Sequence, residues 1–196
     1  MADFRTHAVE RAGQRLRDLA TVATAAAESM SSDIAYAAEM VRATLAGGGT
    51  LFFCGNGGSA ADAQHMATEY VVRYMKTRKA MAAIALTTDT SLLTAAANDF
   101  GFEAIFSRQV EALTRIGDLL IIHSTSGNSP NVLRAAEAAR EKGVRVLSLS
   151  ARDGGKLRAL SDCCLLIPTD RTDRAQELHL CIQHLICEVV EETLSQ

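Results

Sequence analysis

Hydroxyl and amide side chains crowd the segment 124–130, whose sequence STSGNSP follows a short apolar run. Ser129 has the residue type of a helix N-cap, and Pro130 suits the first position of the helix behind it. The free backbone N–H groups and the positive end of such a helix attract an anion. Because the loop contains no Lys or Arg, it suits a phosphate monoester held by hydroxyls and amides. A serine-rich helix cap without a ligand is the alternative.

A second loop with features of a ligand site is CGNGGS, residues 54–59. Its three glycines would let the backbone approach a ligand closely. Ser59 could cap the following helix, with Asp62 completing a capping box. The pattern is neither G-x-G-x-x-G nor a Walker loop, which argues against a dinucleotide or a nucleoside triphosphate. A plain tight turn would explain one glycine better than three.

Two further segments carry side chains that could ligate a metal ion or move protons. His65 and Glu69 are four residues apart, hence on one face of a helix, and could share a metal ion or a proton-transfer task. The final helical segment adds Gln176, Glu177, His179 and His184. Taken alone, such residues are also common on exposed helices or as structural core histidines. The pair Asn98 and Asp99, beside a glycine, is equally explained by local turn formation.

The hydropathy pattern supplies a scaffold for these side chains. Five short, nearly continuous apolar runs are typical of strands buried on both faces, namely 50–55, 81–86, 118–123, 144–149 and 163–168. Helical segments separate them, at about 59–75, 90–97, 103–115 and 130–142, and a last helix covers about 174–194. This alternation predicts a three-layer αβα sandwich around a five-stranded parallel sheet. Ligands bind beyond the carboxyl ends of such strands, where both loops fall.

A helical extension, residues 1–48, precedes this core within one domain that covers 1–196. Apolar positions at helical spacing predict one helix over 4–28 and a second over about 32–45, ended by three glycines at 47–49. Their alanine-rich faces suit packing against a partner subunit, and packing within the monomer is equally compatible.

Composition excludes several classes of function. The 196 residues suit a single domain, and a formal net charge of −3 gives no broad basic field for nucleic acid. No apolar run approaches the roughly 18 residues of a membrane span, and the N-terminus does not have the pattern of a signal peptide. The five cysteines form no C-x-x-C pair, which indicates reduced thiols in a cytoplasmic protein.

Together, these segments resemble the phosphoheptose isomerases, a family built on the sugar isomerase (SIS) domain with a flavodoxin-like fold. The resemblance spans the chain and rests on CGNGGSAADAQH (54–65), ANDFGFEAIFSRQVEAL (97–113), STSGNSPNV (124–132), the Gly-Gly of ARDGGKL (151–157) and DRAQELH (173–179). It implies isomerisation of sedoheptulose 7-phosphate to D-glycero-D-manno-heptose 7-phosphate through an enediol(ate). That reaction opens nucleotide-activated heptose biosynthesis, which serves lipopolysaccharide. The resemblance also implies a cytoplasmic homotetramer with sites at subunit interfaces.

The resemblance assigns roles residue by residue. The phosphosugar would be bound by Asn56, Gly57, Gly58, Asn98, Asp99, Ser124, Thr125, Ser126, Ser129 and Gln176. One Zn²⁺ per subunit would be held by His65, Glu69, Gln176 and His184. Glu69 and His184 would form the acid–base pair, with Asp173 as a further candidate. Since a zinc-bound carboxylate is a poorer base, it stays open whether Glu69 or Asp173 takes the proton at carbon.

Spacing and function leave further alternatives. Gln176 and His184 are eight residues apart, about 12 Å of axial rise on one helix, whereas zinc–ligand bonds are about 2 Å. Either the two side chains lean towards each other, or Gln176 precedes the regular helix, or one ligand comes from a neighbouring subunit.

Two other functions stay open. The chain could also be a non-catalytic SIS protein that binds phosphosugars or associates with a replication initiator, or an isomerase of another phosphosugar. Retention of Glu69 and His184 favours the enzyme.

Overall fold

The computed structural model of the chain describes residues 3–194. Its centre is a five-stranded, wholly parallel sheet with the strand order β2-β1-β3-β4-β5. The strands are β1 (Leu51–Gly55), β2 (Ala83–Ala85), β3 (Leu119–His123), β4 (Arg145–Ala151) and β5 (Cys163–Ile167). Every residue of β1 and β3 is buried, as continuous apolar runs predict for strands covered on both faces.

Helices cover both faces of this sheet. They are α1 (Phe4–Ala46), α2 (Gly58–Val71), α3 (Thr90–Phe100), α4 (Ser107–Leu113), α5 (Pro130–Glu141), α6 (Leu157–Leu160) and α7 (Thr172–Leu194), with a 3₁₀ turn at Phe102–Ala104. Alternate strand residues point to opposite faces: Phe53 and Ile121 pack with α1, α2 and α7, and Phe52 and Ile122 pack with α3, α4 and α5. The predicted three-layer sandwich around a parallel sheet is confirmed.

The N-terminal extension is one helix of 43 residues rather than two. The serines between the two predicted helices do not interrupt it. Ser29 and Ser31 donate their hydroxyls to the carbonyls of Ala25 and Ala27 one turn back, at 2.7 and 2.6 Å. Because these side chains find partners inside the helix, they do not compete with its backbone hydrogen bonds.

The first half of α1 is mostly exposed to solvent. The buried residues of this helix begin at Ala26, whereas Phe4 and Leu16 are 83% and 69% exposed. A helix gains most of its stability from packing of an apolar face. The exposed half of α1 therefore presents apolar side chains that the described chain does not cover.

Two other element boundaries differ from the sequence prediction. The helix predicted over 59–75 ends at Val71, where Arg78 occupies carbonyls of its last turn. The helix predicted over 103–115 is divided into the 3₁₀ turn and the shorter α4. Among residues 3–194, no helix combines the length and the apolar character needed to cross a bilayer.

Candidate active site

The two ligand loops lie side by side at the carboxyl edge of the sheet. Strands β1 and β3 are neighbours, and Gly55 at the end of β1 is in register with His123 at the end of β3. Asn56 Nδ2 donates to Asn131 Oδ1 at 2.9 Å, and Asn131 Nδ2 donates to Asn56 Oδ1 at 2.8 Å. Asn131 is buried, so this amide pair joins the loops away from bulk water. The fold thus makes one polar edge from both loops, as their positions after parallel strands predict.

The loop 124–129 is a tight turn shaped by its own hydroxyls. Gly127 N–H donates to the carbonyl and hydroxyl oxygens of Ser124, at 3.1 and 3.2 Å. Ser129 is the N-cap of α5 and Pro130 is its first residue, as predicted. The Ser129 hydroxyl makes no capping hydrogen bond to α5, which leaves it available to a ligand at the positive end of that helix. Thr125, Ser126 and Ser129 are partly exposed, and Ser124 is buried.

A glycine turn after β4 supports this loop from behind. Gly127 has a φ of 61°, and a Cβ on it would lie 1.8 Å from the carbonyl oxygen of Gly154. Lys156 N–H donates to the side-chain oxygen of Asn128 at 3.1 Å. Only glycine fits at position 127, for both backbone and steric reasons. The sequence indicated the Gly-Gly of 154–155 only through the family resemblance and gave it no role.

The loop CGNGGS leads into α2 earlier than the capping-box prediction expects. Gly57, with a φ of 57°, is the N-cap, and α2 begins at Gly58 without a side-chain capping bond. Ser59 therefore lies inside the first turn, where it is buried, and the prediction that Ser59 caps the helix with Asp62 is wrong. The physical reason is the left-handed backbone of Gly57, which starts the helix two residues earlier. Burial raises the pKa of the Asp62 carboxyl.

Gln176, near the start of α7, packs on this first loop. A Cβ on Gly58 would lie 2.8 Å from both amide heteroatoms of Gln176, so the glycine makes room for the amide. Gly58 precedes His65 by seven residues of α2, about 10 Å of axial rise. Gln176 is thus close to the predicted phosphosugar residues, and its role as a fourth metal ligand stays a prediction.

Three predicted residues meet where α2 packs against α7, and we call His65, Glu69 and His184 the α2–α7 cluster. His65 Nε2 lies 2.8 Å from His184 Nε2 and 3.3 Å from Glu69 Oε1. His65 is exposed, whereas Glu69 and His184 are partly buried. Tyr74 stacks on His184 with ring centroids 5.3 Å apart. Burial, followed by the neighbouring His65, lowers the pKa of His184, so its imidazole is neutral at neutral pH.

The α2–α7 cluster has the donor set of a zinc centre. Its three ligand atoms lie within 4.8 Å of one another, and two imidazole nitrogens with one carboxylate oxygen are common zinc ligands. Tetrahedral bonds of about 2 Å separate ligand atoms by roughly 3.3 Å. The 3.3 Å pair of His65 and Glu69 already matches that spacing, and the 2.8 Å pair of His65 and His184 would open by about half an ångström. The described residues therefore fit the metal that the resemblance implies.

Asp173 lies away from the α2–α7 cluster within one chain. It is in the first turn of α7, eleven residues before His184, which is about 16 Å along the helix. Its carboxylate is 2.6 Å from Arg171 and 3.7 Å from Arg15. The hydrogen bond from Arg171 lowers the pKa of Asp173, which makes it a weak base. Its catalytic role stays a prediction.

Asn98 and Asp99 lie at the exposed end of α3. The amide of Asn98 donates to the Asp99 carboxylate at 2.8 Å. Both residues lie in the last turn of α3 and not in a loop turn, so the alternative of local turn formation is not what the structure shows. Its role in binding the sugar stays a prediction.

Two side chains of the site were not anticipated from the sequence, Asn131 and Tyr74. Asn131 follows the cap and proline of α5 directly, and an amide beside a ligand loop could have drawn attention to it. Tyr74 follows the end of α2 and reaches His184 through tertiary packing. No local pattern indicates such a contact.

A family model and two similar curated relatives point to the same protein family. The SIS domain model matches residues 16–151. The chain is 50% identical over 166 residues to the phosphoheptose isomerase of Akkermansia muciniphila, which covers 85% of this chain and 88% of the relative. It is 54% identical over 161 residues to that of Rhodospirillum rubrum, covering 82% and 86%.

Solved structures agree with these relatives. Phosphoheptose isomerase GmhA from Neisseria gonorrhoeae superposes with a TM-score of 0.88 at 43% identity, covering 93% of this chain and 98% of that one. A phosphoheptose isomerase from Francisella tularensis gives a TM-score of 0.91 at 32% identity, covering 94% and 98%.

Proposed function

The chain belongs to the phosphoheptose isomerase family of SIS-domain proteins, and we propose that it works as a zinc-dependent isomerase of sedoheptulose 7-phosphate at the α2–α7 cluster. It is a phosphosugar isomerase of heptose biosynthesis. The proposed product is D-glycero-D-manno-heptose 7-phosphate. The observation that carries the proposal is the convergence of His65, Glu69 and His184 on α2 and α7, both of which reach the first ligand loop near their N-terminal ends.

The loop 124–129 binds the phosphate in this proposal. Its hydroxyls and the positive end of α5 stabilise an anion without a charged side chain. Asn56, Gly57 and Gly58 lie beside this loop, joined to it by the amide pair with Asn131, and contact the sugar together with Gln176. Anchoring the distant phosphate converts binding energy into orientation of the reacting carbons.

Glu69 and His184 move the protons. An aldose and a ketose interconvert when a proton passes between C1 and C2 through an enediol(ate), which needs one group at carbon and another at the oxygens. We assign Glu69 as the base at carbon and His184 as the proton shuttle. The lowered pKa of His184 keeps its imidazole neutral near pH 7. If Nε2 holds the metal ion, the proton that His184 shuttles is the one on Nδ1. Glu69 is 17% exposed, so water reaches it poorly.

The metal would be held by His65, Glu69 and His184, with Gln176 as the predicted fourth ligand and one ion per subunit. When bound, Zn²⁺ supplies Lewis-acid polarisation of the substrate carbonyl. Neutral imidazoles are required for this ligation, and the pKa of His184 is already lowered by burial.

We also propose a homotetramer in the cytoplasm, with sites at subunit interfaces. The support for assembly is the exposed half of α1, whose Phe4, Val9 and Leu16 are each more than two-thirds exposed. Large apolar side chains exposed on a helix are often covered by a partner subunit. Five free thiols suit a reducing compartment.

Incubation of the purified protein with sedoheptulose 7-phosphate, with and without a chelator, tests the function. Formation of the aldose, its loss on chelation and its return with Zn²⁺ are expected. Binding without conversion would support a non-catalytic SIS protein. The absence of both binding and conversion would support an isomerase that acts on a different phosphosugar.

The variant Glu69→Gln tests the assignment of the base. It should abolish turnover while phosphosugar binding survives, because an amide oxygen can still ligate but cannot take the proton. Glu137→Gln, an exposed carboxyl of α5, is the matched control and should retain wild-type kcat. Near-normal turnover by Glu69→Gln would contradict the assignment of Glu69 as the base at carbon.

A further inference from the structure

A buried ion pair ties the segment after α2 to α7. Arg78 Nε lies 3.0 Å from Glu191 Oε1, and the two side chains are 3% and 2% exposed. Glu191 also accepts hydrogen bonds from the backbone N–H groups of Tyr74, Met75 and Lys76, at 3.1, 2.8 and 2.8 Å. Burial alone would raise the pKa of Glu191, but these donors outweigh it and lower the pKa. The carboxylate is therefore ionised at neutral pH and fully engaged.

The terminal nitrogens of the Arg78 guanidinium bind the C-terminal end of α2. Nη1 donates to the carbonyl of Tyr70 at 2.9 Å, and Nη2 donates to the carbonyl of Glu69 at 2.8 Å. The last carbonyls of a helix lack partners within it and attract a cation. Because Glu69 belongs to the α2–α7 cluster, Arg78 holds the backbone of a cluster residue directly.

The segment that Glu191 binds also delivers an aromatic ring to the cluster. Tyr74, whose N–H bonds to Glu191, stacks on His184 with 17° between the ring planes. A buried ion pair is costly to desolvate, and apolar residues often stabilise a fold equally well. In this protein, Glu191 binds the backbone of Tyr74 and of the next two residues, and Arg78 binds the last turn of α2.

We propose that Arg78 and Glu191 are positioning residues for the α2–α7 cluster. They fix Tyr74 against the imidazole of His184 and hold the backbone of Glu69, so that the three ligand atoms stay close enough to share one metal ion. The proposal rests on the proposed function for the identity of the cluster as the active centre. Outer partners that orient metal ligands typically contribute about 10- to 100-fold to metal affinity.

The variant Glu191→Gln tests this proposal, with Glu192→Gln as the matched control on the same helix, since Glu192 is exposed. Affinity for Co²⁺ is measured by chelator competition without substrate. In the metal-free protein, NMR of ¹³C-labelled histidine reads the ring-current shift that Tyr74 imposes on His184. We expect Glu191→Gln to bind Co²⁺ about tenfold or more weakly and to lose the His184 shift, while Glu192→Gln matches the wild type.

Substitutions of Tyr74 keep the test decisive if Glu191→Gln does not fold. Tyr74→Leu removes the ring and should weaken Co²⁺ binding, whereas Tyr74→Phe keeps the stack and should restore it. In folded Glu191→Gln protein, kcat should fall more than KM rises, because phosphate anchoring is untouched.

Two results separate this proposal from the proposed function. Unchanged Co²⁺ affinity and unchanged His184 resonances, in folded Glu191→Gln or in Tyr74→Leu, would overturn the positioning role. A wild-type protein without isomerase activity would refute the proposed function, while weaker Co²⁺ binding by the variants would still support the positioning role.

Discussion

Two buried histidines behind the loop 124–129 should make the fold lose stability in mild acid. His123 ends β3 and accepts a hydrogen bond from Gln183 Nε2 at 3.1 Å, and His179 of α7 donates Nε2–H to the carbonyl of Ser150 at 3.3 Å. The two rings stack with centroids 6.2 Å apart. Burial lowers the pKa of His123 to about 3 and that of His179 to about 4. Both side chains are buried in the core, and His179 is not part of the α2–α7 cluster.

The sign of the pH effect follows from these lowered pKa values. An unfolded histidine titrates near 6.5, so between pH 6.5 and pH 4 the unfolded chain binds protons that the folded chain does not. The stability tied to each group is fully present above about pH 6.5 and is lost as the pH falls towards the folded pKa. At pH 5 the loss is about 2 kcal/mol for each histidine, from 1.36 kcal/mol per pKa unit.

Urea unfolding at pH 8 and pH 5, at one fixed protein concentration, measures this loss. His179→Gln keeps an amide donor near Ser150 and should lose about 2 kcal/mol less than the wild type between the two pH values. His7→Gln, at an exposed position of α1, is the control and should behave like the wild type. Identical pH dependence in His179→Gln and wild type would show that the His179 imidazole does not cause the loss of stability, whatever the stability of the variant at pH 8.

Three further substitutions test the loops and the assembly. Gly127→Ala should raise KM about tenfold or more, because its Cβ would lie 1.8 Å from the Gly154 carbonyl oxygen and strain of 1–3 kcal/mol would distort the phosphate loop; an unchanged inhibition constant for inorganic phosphate would contradict this. Asn131→Ala should destabilise the protein by about 1–3 kcal/mol and raise KM, since it leaves the Asn56 amide unpaired; thermal unfolding and initial rates measure both, and a wild-type KM would count against the link between the loops. Leu16→Glu should reduce the mass measured by light scattering, because Leu16 lies on the exposed half of α1; an unchanged mass would place the subunit contact elsewhere.

The layers of the fold were predictable because burial on both faces leaves a direct mark on the sequence. The runs containing Leu51–Gly55 and Leu119–His123 are nearly continuously apolar, and both are fully buried strands. A parallel sheet then places the residues that follow neighbouring strands at one edge. These two facts predict that both ligand loops lie at the same edge of the sheet, and their adjacency follows from the observed strand order, in which β1 pairs with β3.

Local patterns failed where tertiary packing or backbone geometry decides the outcome. Ser59 has a capping residue type, but the left-handed backbone of Gly57 starts α2 before it. Ser29 and Ser31 look like helix breakers, but their hydroxyls bond within α1. The meeting of His184 with α2 requires knowing which helices pack together, which no spacing within α7 reveals.

Glu69 can serve as a metal ligand and as a base at once, because a carboxylate has two oxygens. Oε1 faces His65 Nε2 at 3.3 Å, the distance expected between two ligands of one ion, so Oε2 is the oxygen left for the proton. Ligation lowers the proton affinity of the whole Glu69 carboxylate. Asp173 is not a stronger base for that reason, because the hydrogen bond from Arg171 lowers its pKa as well. Asp173 also lies about 16 Å of helix from His184, whereas Glu69 shares the α2–α7 cluster with it. Within one chain, proximity therefore favours the proposed assignment of Glu69 as the base, and the catalytic role of Asp173 stays a prediction. Consequently, Glu69→Gln should retain Co²⁺ through its remaining amide oxygen while losing turnover, whereas Glu69→Ala should lose both.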